Sequence, residues 1–362
     1  MRLIHAEQLD DIALGAAVLG TGGGGDPYIG KLMAQNSIRT CGPVRMVSVD
    51  ELDDEALIAC SAMMGAPTVM VEKIPSGEEL VTAFTALENY LGKKLYATMS
   101  AEAGGLNSSM PFAVAAELGI PLVDADLMGR AFPEIQMVTA TLYGISATPM
   151  SMADEKGNTC ILNTTNNRWT ETFARTIAVD MGCSAFIALF VMTGKQLKEA
   201  AVAGTISKVE SIGQTIRAAH AAHVDPIEAV RAATDGHLIW KGKIADLNRR
   251  TETGFARGTA VIDGIDEYEG RQLQIDFQNE FLIAREGDRT VASTPDLITI
   301  LDSEAGNAIT TESLRYGYRV AVLGMPCDAR WRTPEGIELA GPQYFGYDVD
   351  YVPIEDRVGV AV

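Results

Sequence analysis

A chain of 362 residues that is 47% apolar and 21% charged has the composition of a globular protein with an ample core, not of a disordered segment. Its formal net charge of −19 argues against nucleic acid or an anionic membrane as a partner, because binding to phosphates depends on clustered Lys and Arg. No apolar run is long enough to span a bilayer, the best being residues 183–192. The first residues reach Glu7 and Asp10 without the apolar core of a signal peptide, and a cytoplasmic location is expected. Cysteines at 41, 60, 160, 183 and 327 are widely spaced and form no Cys-x-x-Cys pair, a pattern of reduced thiols.

Residues 9–19 have the apolar spacing of a helix and run into Gly20-Thr21-Gly22-Gly23-Gly24-Gly25-Asp26-Pro27. Asp26 and Pro27 read as the N-cap and first position of a second helix over 28–35. The glycine loop therefore links helix to helix. A dinucleotide fingerprint follows a strand, and a P-loop carries Gly-Lys-Ser/Thr, so neither applies. Asp26 also takes the positive helix end that a phosphate would need. Two readings remain: a plain flexible turn, or bare backbone at Gly22, Gly23, Gly24 and Gly25 beside a small ligand.

Residues 44–49 and 56–64 read as strands, 77–91 as a helix, 94–100 as a strand, 108–118 as a helix and 120–124 as a strand, with a further strand or helix over 136–142. This alternation predicts a parallel, helix-covered sheet. Ligands of such sheets lie beyond the carboxyl ends of strands, here at 61–65, 102–107 and 124–134. Residues 149–162 read as a turn and hairpin. Helices are expected over 170–192, 195–206, 214–223 and 227–234, the last capped by Asp225-Pro226. From His237 onward short strands take over, at 238–245, 254–262, 272–284, 296–301 and 318–323. The predicted fold is α/β: a helix-covered, mostly parallel sheet in an N-terminal domain (1–165), a helical connector (166–236) and a β-rich C-terminal domain (237–362).

The densest polar stretch is Asp124-Ala-Asp126-Leu-Met-Gly-Arg130-Ala-Phe-Pro-Glu134. Carboxylates at i and i+2 share one face of an extended chain, so one can hold a water or a metal while the other takes a proton; the same pattern also occurs in ordinary turns. Arg130 has the fork geometry to clamp a substrate carboxylate, or else pairs with Asp126 or Glu134. Glu102 follows an apolar strand, where partial burial would raise its pKa towards neutrality and suit it to general-base work. Gly104 and Gly105 would let a substrate approach the backbone, and the helix start at Asn107 offers amides to a developing negative charge. Cys60 is read as either a nucleophile or a buried thiol. His220 and His223, three apart on a helix, have metal-binding spacing but no evident third ligand. Asp276, Gln278 and Glu280 fall on one side of a predicted strand, facing either solvent or an inter-domain cleft.

Taken together, the stretches 20–27, Glu102-Ala-Gly-Gly-Leu-Asn107, 124–134, Phe277-Gln-Asn-Glu280, Thr294-Pro-Asp-Leu-Ile298, Leu314-Arg-Tyr-Gly317 and 341–347 resemble the S-methyl thiohydantoin desulfurase-like proteins, over nearly the whole chain. Members of that family often accompany hydantoinase or oxoprolinase proteins. The resemblance implies removal of sulfur from a thiohydantoin-like ring, water replacing sulfur at a carbon flanked by nitrogens. For that chemistry Glu102 or Asp124 would be the base, while Asp126 and Glu134 would bind a metal or protonate the leaving group. The glycine loop, Asp26 and the Asn107 turn would supply a wall and amides, and Arg130 would hold an acidic substituent. A divalent ion would be magnesium or manganese on oxygen ligands such as Asp124 and Asp126, or zinc on His220 and His223. Two other functions stay open: a non-catalytic subunit of a hydantoinase or oxoprolinase system, and a hydantoin ring amidohydrolase. A homo-oligomer is expected.

Overall fold

In the computed structural model of the chain, residues 1–65, 69, 75, 77–252 and 254–358 are described. Two sheets organise them. The first has eight strands in the order β1-β2-β5-β4-β3-β9-β7-β8: β1 Arg2–Ile4, β2 Val44–Val47, β3 Leu57–Gly65, β4 Ala97–Ser100, β5 Leu122–Val123, β7 Met150–Ala153, β8 Thr159–Leu162 and β9 Ser184–Thr193. The alternation of strands and helices up to residue 124 produces a parallel centre, β2-β5-β4-β3. Antiparallel strands extend it on both sides. A small separate ladder pairs β6 Ala125–Asp126 with β10 Val202–Ala203.

Successive β3 residues face opposite sides of the sheet, and each side has its own cover. Ala59 and Met63 pack with Phe84, Leu87 and Val114 of the helices Glu78–Leu91 and Met110–Leu118. Cys60, Ala62 and Met64 pack on the other side with Ile187, Leu189 and the helix Asn167–Asp180.

The second sheet is antiparallel throughout, in the order β15-β14-β13-β12-β11-β17-β16. It comprises β11 His237–Glu252, β12 Phe255–Gly264, β13 Gln272–Gln278, β14 Glu280–Glu286, β15 Arg289–Ser293, β16 Leu297–Asp302 and β17 Arg319–Met325. Helix Gln8–Leu19 joins the two halves. Its Leu9, Ile12 and Leu19 share a core with Val209 and Ile212 of helix Thr205–Ala222 and with Leu301 and Leu323 of the second sheet. Each such buried side chain contributes about 1.5–3 kcal/mol relative to exposure.

Five predicted elements are corrected. The helix expected over 170–192 is two elements, helix Asn167–Asp180 and strand β9. Gly182 and Cys183 take positive φ of 87° and 65° and break the chain between them, and the apolar run beyond is a strand buried on both faces. Helices expected over 195–206 and 214–223 are divided elsewhere: Gly194–Ala200, then the β10 residues, then the continuous helix Thr205–Ala222. The strand expected over 272–284 folds back on itself at Asn279, whose φ is 57°, a conformation that asparagine tolerates better than most residues. Over 136–142 only Thr139–Leu142 is helical.

Candidate active site

The end of β4 carries the first of two buried carboxyls. Ser100 Oγ bonds the carbonyls of Glu102 and Asn107, which closes the chain into the 3-10 turn Gly105–Ser108. Asn107 is fixed by Met63 of β3 from both ends: the Met63 amide donates to Asn107 Oδ1 at 2.7 Å and Asn107 Nδ2 donates to the Met63 carbonyl at 3.1 Å. The same Nδ2 donates to Glu102 Oε1 at 2.7 Å. Glu102 is 7% exposed, and its second oxygen, Oε2, is buried without a hydrogen-bond partner among the described residues. Burial pushes the Glu102 carboxyl up to about 8; the Asn107 amide opposes this, and the Asp126 carboxylate adds to it.

The second buried carboxyl, Glu280, comes from the other sheet. The turn at Asn279 is held by a two-way bond with Ala256, Asn279 N to the Ala256 carbonyl at 2.7 Å and Ala256 N to Asn279 Oδ1 at 2.9 Å. Glu280 is thereby turned inward and is 2% exposed. Its Oε1 accepts from the Gly24 amide at 3.2 Å, and its Oε2 is also buried and has no partner among the described residues. Burial raises its pKa well above the ordinary carboxylate range, the Glu102 charge adds to the rise, and the Arg130 guanidinium opposes it.

Glu102, Asn107 and Glu280 line one cavity of about 100 Å³, whose other walls include Ala62, Met64, Phe132, Ile187, Leu189 and Phe190. A single water needs roughly 10–15 Å³ by this measure, so the cavity has room for a small ligand together with water. Glu134 and Arg175 stand at its edge and also line an open groove of about 420 Å³. Arg175 stacks on Phe255, 4.2 Å from the ring centroid, and pairs with Glu171.

The glycine loop serves this site mainly as structure. Its backbone lies directly on Gly104 and Gly105, with the Leu106 amide donating to the Gly24 carbonyl at 2.9 Å. A Cβ on Gly105 would come within 2.5 Å of Gly24 backbone, and one on Gly23 within 2.0 Å of Glu280 Oε1. Gly22 packs under the Phe281 ring. Among the loop glycines only Gly24 lines the cavity. Asp26 caps the helix Pro27–Cys41 as its sequence predicts, accepting from the Tyr28 amide at 2.9 Å.

The Asp124/Asp126 pair lies elsewhere. Asp124 accepts from the Ser207 amide at 2.9 Å and from its hydroxyl, at the first turn of helix Thr205–Ala222. Asp126 accepts from the amides of Ala103 at 2.7 Å and Gly129 at 2.8 Å. Burial pushes the Asp126 carboxyl up to about 7 against those amide bonds and the Thr205 hydroxyl. Neither residue lines the cavity; Asp126 holds the Ala103 amide next to Glu102, and Asp124 holds the start of a helix. Arg130 is fully buried and pairs with neither Asp126 nor Glu134. It donates instead to the carbonyls of Ala131, Pro295 and Asp296 and to Thr21 Oγ1. Glu134 accepts from Tyr344 Oη at 2.8 Å and from Gln136.

Among the described residues no group of three or more His, Cys, Asp and Glu side chains could hold a metal ion. His220 Nε2 bonds the Ala305 carbonyl at 2.7 Å, while His223 ends its helix at φ 54°. Cys60 is fully buried with its thiol pushed up by burial, the environment of an inert core cysteine. The residue that the sequence ranked too low is Glu280. Its signal was the Gln-Asn-Glu tripeptide, in which the asparagine marks a turn.

Two family models match in tandem: S-Me-THD-like, N-terminal domain, over residues 7–164, and S-Me-THD-like, C-terminal domain, over residues 165–354. No curated protein matches the chain. A solved crystal structure of a protein from Chromobacterium violaceum is similar, with 25% sequence identity and a TM-score of 0.83, covering 98% of this chain and 100% of that one.

Proposed function

The chain belongs to the S-Me-THD-like family, and from that membership and the two buried glutamates we propose that it is a hydrolytic desulfurase of a thiohydantoin-like five-membered ring. The observation that carries this reading is that Glu102 Oε2 and Glu280 Oε2 are both buried, both unpartnered and both on one cavity with largely apolar walls. A buried carboxylate oxygen without a partner costs stability, and a ring N–H or a water would satisfy it.

The two carboxyls divide the work by environment. Glu102, tied to the Asn107 amide, ionises first and is the base; Glu280, driven higher by burial and by the Glu102 charge, keeps its proton and is the acid. For a methylthio-substituted ring, Glu102 takes a proton from water as the water oxygen bonds to the sulfur-bearing carbon. The electrons of the ring C=N bond move to nitrogen, which takes a proton. Collapse of the tetrahedral intermediate forms C=O and breaks C–S, and the sulfur leaves as methanethiol with the proton of Glu280. The hydroxyl proton of the intermediate returns to Glu280, and the Glu102 proton is the one delivered to the ring nitrogen, so both carboxyls end as they began. Apolar walls exclude bulk water and strengthen both proton transfers.

The test is release of thiol from an S-methyl thiohydantoin by the purified chain, followed with a thiol reagent, with the hydantoin product identified by mass spectrometry in ¹⁸O-water. One ¹⁸O in the product and thiol in equal amount are expected. A ring-opened product with its sulfur retained would assign the chain to ring amide hydrolysis, and binding without turnover would assign it a non-catalytic role.

A further inference from the structure

Beside the cavity, and separate from its two glutamates, lies a recess of about 480 Å³ between the start of helix Asn167–Asp180 and the segment around Tyr344. We propose that it is a second small-molecule site, for an organic anion that also carries an N–H donor, such as an N-acyl or N-carbamoyl amino acid.

Three features specify that chemistry. The first is an orphan acceptor: Gln136 is 4% exposed and lines the recess, yet its Oε1 has no hydrogen-bond partner among the described residues. Its Nε2 is engaged with Tyr344 Oη at 3.0 Å and with Glu134, which fixes Oε1 as the atom left bare. A buried amide oxygen of this kind requires a donor from the occupant. The second is a helix N-terminus. Asn166 Oδ1 caps the Trp169 amide at 3.0 Å, and the amides of Asn167 and Arg168 have no acceptor within the helix; both residues line the recess. The dipole of this 14-residue helix favours negative charge there. The third is the balance of charge. Among the described residues the recess is lined by Arg168 and by no carboxylate, in a chain of net charge −19. Arg168 lies over the Tyr344 ring, 5.7 Å from its centroid; its Nη2 makes a long, exposed contact of 3.5 Å to Tyr344 Oη, a weak bond that a carboxylate in a two-pronged contact would replace.

An occupant with its carboxylate on Arg168 and the helix amides and its N–H on Gln136 satisfies all three. Gln136 and Tyr344 also hold Glu134 at the edge of the catalytic cavity, so occupancy of the recess acts on that edge.

Calorimetric titration of the full chain with N-acetylglycine, and with the neutral N-acetylglycinamide as control, tests the site. Saturable binding of one N-acetylglycine per chain is expected, with at least tenfold weakening in Arg168→Gln and in Gln136→Leu, unchanged binding in Glu102→Gln, and none of the neutral amide. Arg168 is exposed, so its variant reports even if Gln136→Leu fails to fold. Absence of saturable binding, equal binding in Arg168→Gln, or loss of binding in Glu102→Gln would overturn the proposal.

Discussion

Gly24 and Glu280 are 256 residues apart in the chain and joined by one hydrogen bond of 3.2 Å, from the glycine amide to the glutamate Oε1. This bond ties the loop after the first long helix to the second sheet, and it sets the acidic group of the proposed reaction. The neighbouring glycine makes the contact possible, because any side chain at Gly23 would run into the same carboxylate.

Gly23→Ala is therefore expected to displace Glu280 and to cost about 1–3 kcal/mol, the usual price of forcing a methyl into a packed site. Turnover should fall more than stability does, since the chain can yield by moving the glutamate. Thermal melting alongside kcat measures both. A variant that melts lower but keeps full kcat would show that the position of Glu280 does not matter to the reaction.

Glu102→Gln and Glu280→Gln each remove one proton-transfer group while keeping the shape of the side chain. Loss of general acid or base catalysis is worth roughly 10²–10⁴-fold in rate, and that loss is expected in kcat for each variant. Neither should destabilise the fold near neutral pH, because an amide replaces a carboxyl that burial keeps largely protonated. Equal activity in either variant would remove that residue from the mechanism.

How far the sequence anticipates this site depends on where each element gets its partners. Glu102 and Asn107 were legible because a short apolar strand followed by Gly104-Gly105 is a local pattern. Asp124 and Asp126 look equally reactive in the sequence, but Ser207, the partner of Asp124, lies in the first turn of a helix some eighty residues later, and no local signal links the two. Glu280 was read as one of a row on a continuous strand; the positive φ of Asn279 reverses the chain and gives it a different environment. The apolar run after Cys183 was read as helix because a short buried run has no periodicity to separate helix from strand. Only its pairing with β3 decides it.

The pH dependence has a definite sign. Glu102 is raised from 4.5 to about 8 and Asp126 from 3.8 to about 7 in the folded chain. The folded state then holds protons that the unfolded state has released, so the stability from these groups is complete below pH 4 and is lost as pH rises towards 8. The slope is at most about 1.4 kcal/mol per pH unit for each group. Activity runs the other way, since kcat/KM rises as Glu102 ionises through about pH 8. Chemical denaturation from pH 5 to 8 should show falling stability, with a shallower slope in Glu102→Gln; a rise over that range would contradict the burial of these carboxyls in protonated form.

Arg130 makes no ion pair with Asp126 or Glu134 and spends its donors on three carbonyls and a threonine hydroxyl that belong to three separate segments. Arg130→Met leaves those carbonyls buried and unbonded, each costing about 1–3 kcal/mol, so a total loss of about 3–5 kcal/mol is expected in urea denaturation. If the guanidinium instead served to grip a substrate carboxylate, the variant would keep its stability and show a raised KM for acidic rings alone.

Asp124 separates the structural reading of the Asp-Ala-Asp stretch from the catalytic one. The residue preceding helix Thr205–Ala222 is Gly204, which has no side chain to cap it, and the Asp124 carboxylate supplies the missing acceptor to the Ser207 amide. It thus performs a capping function from a distant part of the chain, with the helix dipole favouring its charge. Asp124→Ala should cost about 0.5–2 kcal/mol, the range for loss of a cap, and Asp124→Asn less, since an amide oxygen can still accept. Both variants should keep kcat within about twofold, because the carboxylate does not line the cavity and transition-state contacts are what kcat reports. A drop of a hundredfold or more in Asp124→Asn, with its melting temperature unchanged, would return this residue to the reacting groups and force the cavity at Glu102 and Glu280 to be reassigned.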